Sequence, residues 1–227
     1  MDQRTNRDPH GSPDDGRDRK AEHIRLALDD RMQSDRRFLD DWEFQHVALP
    51  EIDLDDIDLS TEFLGRSLAA PLMISCMTGG TAEARRINRN LAEGAEASRI
   101  AVGVGSQRKA LEDASTADSF RIRAFAPSVP IVANLGAVQL NYGYGIDACR
   151  EAVRMVDADA LALHLNPLQE AIQPEGQTRF RDLLPKIGAI VDELEVPVIA
   201  KEIGCGLGLE VATRLADVGV RILDSSG

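Results

Sequence analysis

The segments VPIVANLGA at residues 129–137 and DALALHLN at residues 159–166 decide the predicted fold of this chain. Both are short and apolar and lack polar alternation, which is typical of strands buried on both faces of a parallel sheet. Each ends in small or polar residues, and a helix-like stretch follows it. The pair therefore predicts two neighbouring βα units with polar groups at the carboxyl ends of their strands.

Four further segments repeat this pattern along the chain. They are PLMISCMTG (71–79), IAVGVGSQ (100–107), VPVIAKEIG (196–204) and VRILDSSG (220–227). The strand starts recur about every 30 residues, which is the size of one βαβ unit. This alternation predicts an α/β fold with a parallel sheet, either open or closed as a (β/α)8 barrel of the TIM type. Eight units after such a leader would need about 310 residues, so we expect only about six βα units here.

The remaining sequence divides into a tail and a leader. Residues 1–18 are polar and charged, which predicts a disordered tail. Residues 19–69 form the leader: 19–32 have the spacing of a short amphipathic helix, and 42–63 carry seven acids and no Lys or Arg. This acidic run predicts an edge hairpin or a solvated loop rather than a site. Residues 70–227 then form the incomplete barrel domain.

Composition and charge exclude several classes of protein. The chain has 227 residues, and its formal net charge of -12 argues against nucleic acid as a partner. No apolar run approaches the roughly 20 residues that span a bilayer, and the polar amino terminus lacks a secretory signal. Three cysteines without metal-ligand spacing, Cys76, Cys149 and Cys205, favour a reducing cytoplasm over a disulfide framework.

Polar residues gather at the predicted carboxyl ends of the strands, where parallel α/β folds bind their ligands. They include Thr78, Ser106, Asn134, His164, Asn166, Lys201 and Ser226. Because polar groups in apolar strands are costly unless they are paired, the set predicts a polar ligand pocket. Lys201 is the strongest single candidate, since a buried ammonium requires an anion or another polar partner. His164 taken alone is more often a hydrogen-bonded core histidine.

Two further groups suit a phosphorylated ligand. Glu170 follows the fourth strand; one carboxylate with phosphate oxygens suits Mg²⁺, and an ordinary loop residue is an equal alternative. Arg19, Lys20 and His23 can share one side of a helix as a clamp for a diphosphate, although a solvated basic patch explains the same spacing. The pair Gly79–Gly80 lets the backbone approach a flat ring or a phosphate.

Together, these motifs resemble the type 2 isopentenyl-diphosphate Δ-isomerase family, which is FMN-dependent. The matching stretches are RKAEHI (19–24), MTGG (77–80), VGSQR (104–108), ANLGA (133–137), HLNPLQE (164–170), QPEG (173–176), KEIG (201–204) and LDSSG (223–227). HLNPLQE closely followed by QPEG is the most specific, since other FMN barrel enzymes have strand ends like MTGG or KEIG. The resemblance implies conversion of isopentenyl diphosphate to dimethylallyl diphosphate by reduced FMN, with NADPH as reductant and no net redox change.

The resemblance also implies roles for individual residues. Positions that hold FMN in the family are matched by Met77, Thr78, Gly79, Ser106, Asn134, Lys201 and Ser226. Positions around the diphosphate substrate are matched by Arg19, Lys20, His23, Arg108, His164, Asn166 and Gln169. Gln169 and His164 are the candidate catalytic residues, and Glu170 matches the ligand of Mg²⁺. A homo-oligomer, tetrameric or larger, is implied as well.

The family continues past the sixth strand with a glycine-rich stretch, a carboxylate implicated in proton transfer and two more strands. None of these follows Gly227, so we expect a C-terminally truncated barrel, and a catalytically inactive fragment is one alternative. Another FMN-dependent (β/α) barrel oxidoreductase, of the 2-hydroxy-acid oxidase type, is a second alternative. The HLNPLQE and QPEG motifs argue against it.

Overall fold

A parallel sheet of six strands forms the centre of the computed structural model, which describes residues 24–29 and 42–226. A two-stranded hairpin, β1 (Thr61–Phe63) and β2 (Arg66–Leu68), precedes the sheet. The sheet strands are β3 (Met73–Ile74), β4 (Ala101–Gly103), β5 (Ile131–Gly136), β6 (Ala160–Leu165), β7 (Val198–Glu202) and β8 (Ile222–Asp224). They lie side by side in chain order, with no reversal of the kind found in doubly wound sheets. The fold is therefore six consecutive strands of a (β/α)8 barrel, as predicted.

Helices connect these strands. They are α1 (Ala82–Ser98), α2 (Arg108–Glu112), α3 (Ile146–Val156), α4 (Pro167–Ile172), α5 (Leu183–Glu193) and α6 (Leu209–Asp217). The first begins where the Thr81 side chain accepts the N–H of Ala84 at 3.0 Å, which satisfies one of the unpaired donors at a helix start. On α5, Ile187 and Ile190 are buried on the side of the helix that faces the core.

The two faces of the sheet are covered by different parts of the chain. Residues such as Leu135 and Leu163 point to one face and join the helices in the larger apolar core. Val132 and Ala162 point to the other face and pack with Phe63 of the hairpin in a second cluster. Because neighbouring positions on a strand face opposite sides, both sets of residues are buried, as the lack of polar alternation predicts.

An ionic network attaches the hairpin to the amino end of the sheet. Asp159, just before β6, forms ion pairs with Arg66 at 2.8 Å and Arg123 at 2.6 Å, and accepts the N–H of Ile131 at 2.8 Å. Burial raises the pKa of the Asp159 carboxyl, but the Ile131 N–H and the two guanidinium groups outweigh it and hold that pKa below its usual value. This network lies at the opposite end of the sheet from the polar strand ends.

Strand positions follow the prediction, but the strands are shorter. The sequence predicts a first strand over 71–79, whereas only Met73–Ile74 pair with β4. Beyond them the chain leaves the ladder, and the carbonyl of Thr78 accepts the N–H of Gly105 at 2.8 Å instead. A Cβ on Gly105 would lie 2.6 Å from Thr78 backbone atoms, so this close approach requires glycine.

The acidic leader combines the two predicted alternatives. Residues 42–60 lie exposed, with one 3-10 turn at Leu54–Asp56, and the hairpin starts only at Thr61. Residues 24–27 are helical, whereas the tail 1–18 and most of the predicted helix lie outside the described residues. Within residues 24–29 and 42–226, no helix is long and apolar enough to cross a membrane.

Candidate active site

A row of aligned residues crosses the carboxyl end of four neighbouring strands. The register pairs Gly136 of β5 with His164 of β6, His164 with Lys201 of β7, and Lys201 with Asp224 of β8. This strand order thus brings together residues up to 88 positions apart in the chain, of which His164, Lys201 and Asp224 are polar. Such an edge is where ligands bind in parallel α/β sheets.

Below this row, the same face of the sheet becomes apolar and narrow. Ala162 and Ile199 precede His164 and Lys201 by two positions, and both belong to the second apolar cluster. The face therefore offers an apolar floor with a polar rim, an arrangement that suits a ligand with a flat ring and polar edges.

Lys201 is the buried cation of the rim. Its side chain is 5% exposed, and its Nζ lies 3.0 Å from Oδ2 of Asp224 and donates to the carbonyl of Glu202 at 3.0 Å. The same ammonium donates to Oγ of Ser226. Ser226 has a positive φ of 47°, a conformation in which its hydroxyl meets Lys201. An ammonium, a carboxylate and a hydroxyl thus share one end of β7 and β8.

Asn134 joins this rim to the neighbouring strand. Its Oδ1 lies 2.9 Å from Nδ1 of His164, and since an amide oxygen only accepts, that ring nitrogen donates. The main-chain N–H of Asn134 donates to Oε1 of Gln107 at 2.9 Å. Gln107 is fully buried and donates to the carbonyl of Ala152 on α3 at 2.8 Å, so it ties the site to the helix layer. The VGSQR motif contains Gln107, but its role is visible only in three dimensions.

Cys76 lies beside Asn134 on the inner side of the sheet. Burial raises the pKa of the Cys76 thiol to about 11, although a hydrogen bond with Asn134 opposes the shift. Its Sγ is 2.3 Å from where a Cβ on Gly103 would sit, so β4 requires glycine there. Cys76 is therefore a neutral thiol at the site and not an activated nucleophile.

Glu170 is the centre of a second group, on α4 directly after β6. It is 7% exposed, its Oε1 accepts Nδ2–H of Asn166 at 2.9 Å, and its Oε2 accepts the main-chain N–H of Gln177 at 2.6 Å. The same Asn166 amide donates to Oε1 of Gln169 at 2.9 Å, which orients that side chain. A Cβ on Gly176 would sit 1.7 Å from the carbonyl oxygen of Glu170, so only glycine lets the QPEG segment fold over the carboxylate.

The Glu170 group fits a hard divalent cation in its chemistry. Besides the carboxylate, it offers Oδ1 of Asn166, which is buried and has no hydrogen-bond partner among the described residues. Mg²⁺ prefers such oxygen ligands and usually takes one or two from protein, with water and phosphate completing the shell. No cluster of three or more His, Cys, Asp or Glu side chains occurs within the described ranges, so phosphate oxygens would have to complete this one.

The rim also fits FMN in its donor set. A buried ammonium, a side-chain amide and a hydroxyl, from Lys201, Asn134 and Ser226, suit the polar edge of a flavin or a ribityl chain. The loop after β3 is fixed beside them: the Thr78 carbonyl accepts Nδ2–H of Asn88 at 3.0 Å, and the N–H of Gly80 donates to Ser119. On this side, FMN would therefore contact a loop that hydrogen bonds already hold in place.

The other predicted site residues are placed less centrally. Met77 is 75% exposed, Ser106 is half-buried just after β4, and Arg108 pairs with Glu112 of its own helix at 3.6 Å. Gly79 is required by packing, because its Cβ would lie 1.9 Å from the Phe120 ring. Arg19, Lys20 and His23 lie outside the described residues.

Glu202 is a buried acid that the sequence interpretation passes over. Its Oε2 accepts the main-chain N–H groups of Ile203, Gly204 and Cys205 at 2.7, 2.6 and 2.6 Å. Burial would raise the pKa of the Glu202 carboxyl, but these hydrogen bonds outweigh burial and lower it. The carboxylate thus folds the KEIG loop back against the end of β7, next to Lys201.

Comparisons with known proteins agree with this geometry. A family model for FMN-dependent dehydrogenases matches residues 24–129. A mandelate oxidase variant carrying a monooxide FMN adduct has a similar fold, with a TM-score of 0.52 at 16% identity, over 75% of this chain and 51% of the oxidase. The same oxidase with a hydroxylated FMN adduct gives a TM-score of 0.51 at 17% identity, over 75% and 52%.

Closer relatives are found by sequence. The isopentenyl-diphosphate delta-isomerase of a Nostoc species is 52% identical over 211 residues, which cover 92% of this chain and 60% of the relative. The isopentenyl-diphosphate delta-isomerase of Paracoccus zeaxanthinifaciens is 53% identical over 213 residues, with the same coverage of 92% and 60%. The chain therefore spans about three-fifths of the length of the curated relatives it matches.

The parallel sheet and its polar rim define part of an FMN-type (β/α) barrel. Within that class, the chain is similar in sequence to the isopentenyl-diphosphate delta-isomerases over most of its own length.

Proposed function

We propose that this chain carries the amino-terminal part of an isomerase site that converts isopentenyl diphosphate to dimethylallyl diphosphate with reduced FMN. The observation that supports it is the juxtaposition of two groups at one sheet edge: the Asn134–His164–Lys201 rim and the Asn166–Gln169–Glu170 cluster. The first suits a flavin and the second suits a metal-bound diphosphate. Isomerisation of a diphosphate with a flavin, which the family resemblance implies, needs both groups.

Lys201, Asn134 and Ser226 would hold FMN at the rim, with Thr78 and Gly79 backing the ring. Thr78 and Gly79 offer main-chain atoms to the flavin. The hydrogen bond from Asn88 to the Thr78 carbonyl holds their loop in place. When bound, reduced FMN supplies an electron-rich ring and a proton source beside an alkene, which is too weak a base for ordinary side-chain acids. Met77 and Ser106 would line the edges of this pocket.

Glu170 would hold Mg²⁺, which in turn binds the diphosphate of the substrate. Asn166 and Gln177 orient the Glu170 carboxylate by donating to its two oxygens, so it is preorganised for a cation. Arg108 would add positive charge beside the substrate, and His164 would form a hydrogen bond with it. Arg19, Lys20 and His23 would bind the diphosphate as an anion clamp.

Gln169 is the candidate for handling the proton that leaves the substrate methylene. Its side chain is half-buried, and Asn166 fixes its amide by donating to Oε1. An amide is a weak acid and a weak base, so we propose that Gln169 orients a proton relay together with His164. The apolar floor below them would exclude water from the reacting carbons.

We further propose NADPH as the reductant of FMN, a cytoplasmic location, and a homo-oligomer of four or more chains. The family resemblance supports the reductant and the oligomer. The three free cysteines support a reducing compartment.

An anaerobic assay tests the proposal. The purified chain is incubated with FMN, NADPH, Mg²⁺ and isopentenyl diphosphate, and dimethylallyl diphosphate is measured by mass spectrometry after chromatography. Formation of product that is lost in Gln169→Leu, with FMN still bound, supports the proposal. FMN binding without product, or oxidation of a 2-hydroxy acid by the same protein, would contradict it; neither binding nor turnover would indicate an inactive fragment.

A further inference from the structure

Asp224 holds two residues of the rim in place, although it is absent from the predicted site residues. One of its carboxylate oxygens, Oδ2, lies 3.0 Å from Nζ of Lys201, its register partner on β7. The other, Oδ1, accepts the main-chain N–H of Ser226 at 3.1 Å. Since Lys201 in turn donates to Oγ of Ser226, the three residues form a closed network.

This network explains the backbone conformation of Ser226. A residue other than glycine is strained at a positive φ such as 47°, and it keeps that conformation only where its surroundings fix it. The hydrogen bond from the N–H of Ser226 to the side chain two residues earlier closes an Asx turn, for which the short aspartate side chain is suited. Asp224 thereby fixes the conformation in which the hydroxyl of Ser226 meets Lys201.

Asp224 also compensates the charge of Lys201. An ammonium has three N–H donors, and those of Lys201 meet Oδ2 of Asp224, the carbonyl of Glu202 and Oγ of Ser226. Among the described residues, Asp224 is the one acid that pairs with Lys201, because the Glu202 carboxylate accepts N–H groups of its own loop. The Lys201 side chain is only 5% exposed, so without Asp224 its charge would be buried and uncompensated.

We infer that Asp224 is a positioning residue, which sets the direction and charge compensation of Lys201 and the conformation of Ser226. The inference rests on the proposed function, in which these two residues hold FMN. The rim then presents an ammonium and a hydroxyl that are already oriented before FMN binds. A change at Asp224 therefore acts on FMN affinity through both residues.

Acetylation of lysines by acetic anhydride, followed by peptide mass spectrometry, tests the inference on the 227-residue chain without a ligand. The sequence has four lysines, and the exposed Lys186 is the internal reference. We expect Lys201 to be protected in the unmodified chain. Asp224→Asn has a single side-chain oxygen, which cannot serve both Lys201 and Ser226. In this variant Lys201 reacts about tenfold faster, Lys186 keeps its rate, and quenching of flavin fluorescence shows about a tenfold loss of FMN affinity.

Three further variants separate this role from a merely structural one. Asp224→Glu keeps a carboxylate for Lys201 but is too long for the Asx turn, so the protection of Lys201 returns while FMN affinity stays low. Asp217→Asn, at an exposed acid of α6, is the matched control and changes neither readout. If Asp224→Asn does not fold, Asp224→Thr, which is short and uncharged, replaces it.

The two readouts distinguish failure of the inference from failure of the proposed function. A folded Asp224→Asn or Asp224→Thr in which Lys201 stays protected, or a reactive Lys201 in the unmodified chain, overturns the inference. Absence of FMN binding by an unmodified chain in which Lys201 is protected contradicts the proposed function instead, and the acetylation rates still decide the role of Asp224.

Discussion

The side-chain oxygen of Asn134 lies 2.9 Å from Nδ1 of His164, across the boundary between β5 and β6. The main chain of Asn134 is held by Gln107 from the helix layer, so the contact is rigid on one side. Nε2 of the same imidazole lies on the side of Gly136, 2.9 Å from the point where a Cβ on that glycine would sit. The Asn134 amide therefore helps to set the orientation of His164 and, with it, the shape of the rim.

Replacing Asn134 tests this dependence. Asn134→Leu has nearly the same volume but removes the amide oxygen that accepts from Nδ1–H of His164. We expect the free energy of unfolding to fall by about 1–3 kcal/mol and FMN affinity to fall by about tenfold. Urea denaturation and quenching of flavin fluorescence measure the two effects. The control is Asn141→Leu, which removes a half-buried amide that donates to the carbonyls of Arg179 and Arg181, and it should leave FMN affinity unchanged.

Adding one methyl group at Gly136 should damage the site. The new Cβ would lie 2.0 Å from Oε1 of Gln139 and 2.9 Å from Nε2 of His164, so both side chains have to move. Gly136→Ala is expected to lower the free energy of unfolding by about 1–3 kcal/mol. Gly94→Ala on the exposed side of α1 has nothing within 4 Å and should raise it by about 0.5–1 kcal/mol. Equal effects of both substitutions in urea denaturation would contradict this view of Gly136.

Acid should weaken the loop held by Glu202. Its folded-state pKa is lowered, so the stabilisation is complete above the ordinary value of 4.5 and is lost as the pH falls through the folded-state value. Glu202→Gln should cost about 1–3 kcal/mol at neutral pH, with the difference from the unmodified chain shrinking in acid. Urea denaturation over a pH series measures both. A constant difference at every pH, or the same trend in the exposed Glu210→Gln, argues against this role.

Asp159 should affect stability and leave the ligand site intact. Asp159→Ala leaves Arg66 and Arg123 without their shared partner and is expected to cost about 2–4 kcal/mol. FMN affinity should be unchanged in the folded protein, since the network lies at the other end of the sheet. The control is Asp118→Ala, which removes an exposed pair with Arg85 and should cost less than about 1 kcal/mol. Weakened FMN binding by folded Asp159→Ala would show that the two ends are coupled.

The three cysteines should react with iodoacetamide in order of burial. Burial raises the pKa of both Cys76 and Cys149 to about 11, which leaves about one thiolate per thousand at about pH 8. Cys205 is exposed and should be alkylated first. Intact-mass spectrometry should show one rapid addition to the native chain and three to the urea-denatured chain. Rapid modification of Cys76 would mean that the inner face of the sheet is open to solvent.

Local pattern alone predicts the parallel order of the strands and the end of the sheet at which the site lies. Segments such as VPIVANLGA have no polar alternation, which only strands covered on both faces tolerate. Lys201 stands out from sequence for the same reason, because an ammonium in such a strand needs partners. The sequence also indicates the family, since HLNPLQE and QPEG require particular residues at particular spacings.

Only the tertiary structure decides which of these residues meet. The row from Gly136 to Asp224 follows from strand register, which a hydrophobic pattern does not specify across different units. Gln107 and Glu202 become recognisable because burial and hydrogen-bond geometry, not residue type, give each its role. Glutamine and glutamate usually lie at the protein surface, so the sequence alone does not single them out. Their roles become visible only where the fold buries them and pairs them by hydrogen bonds.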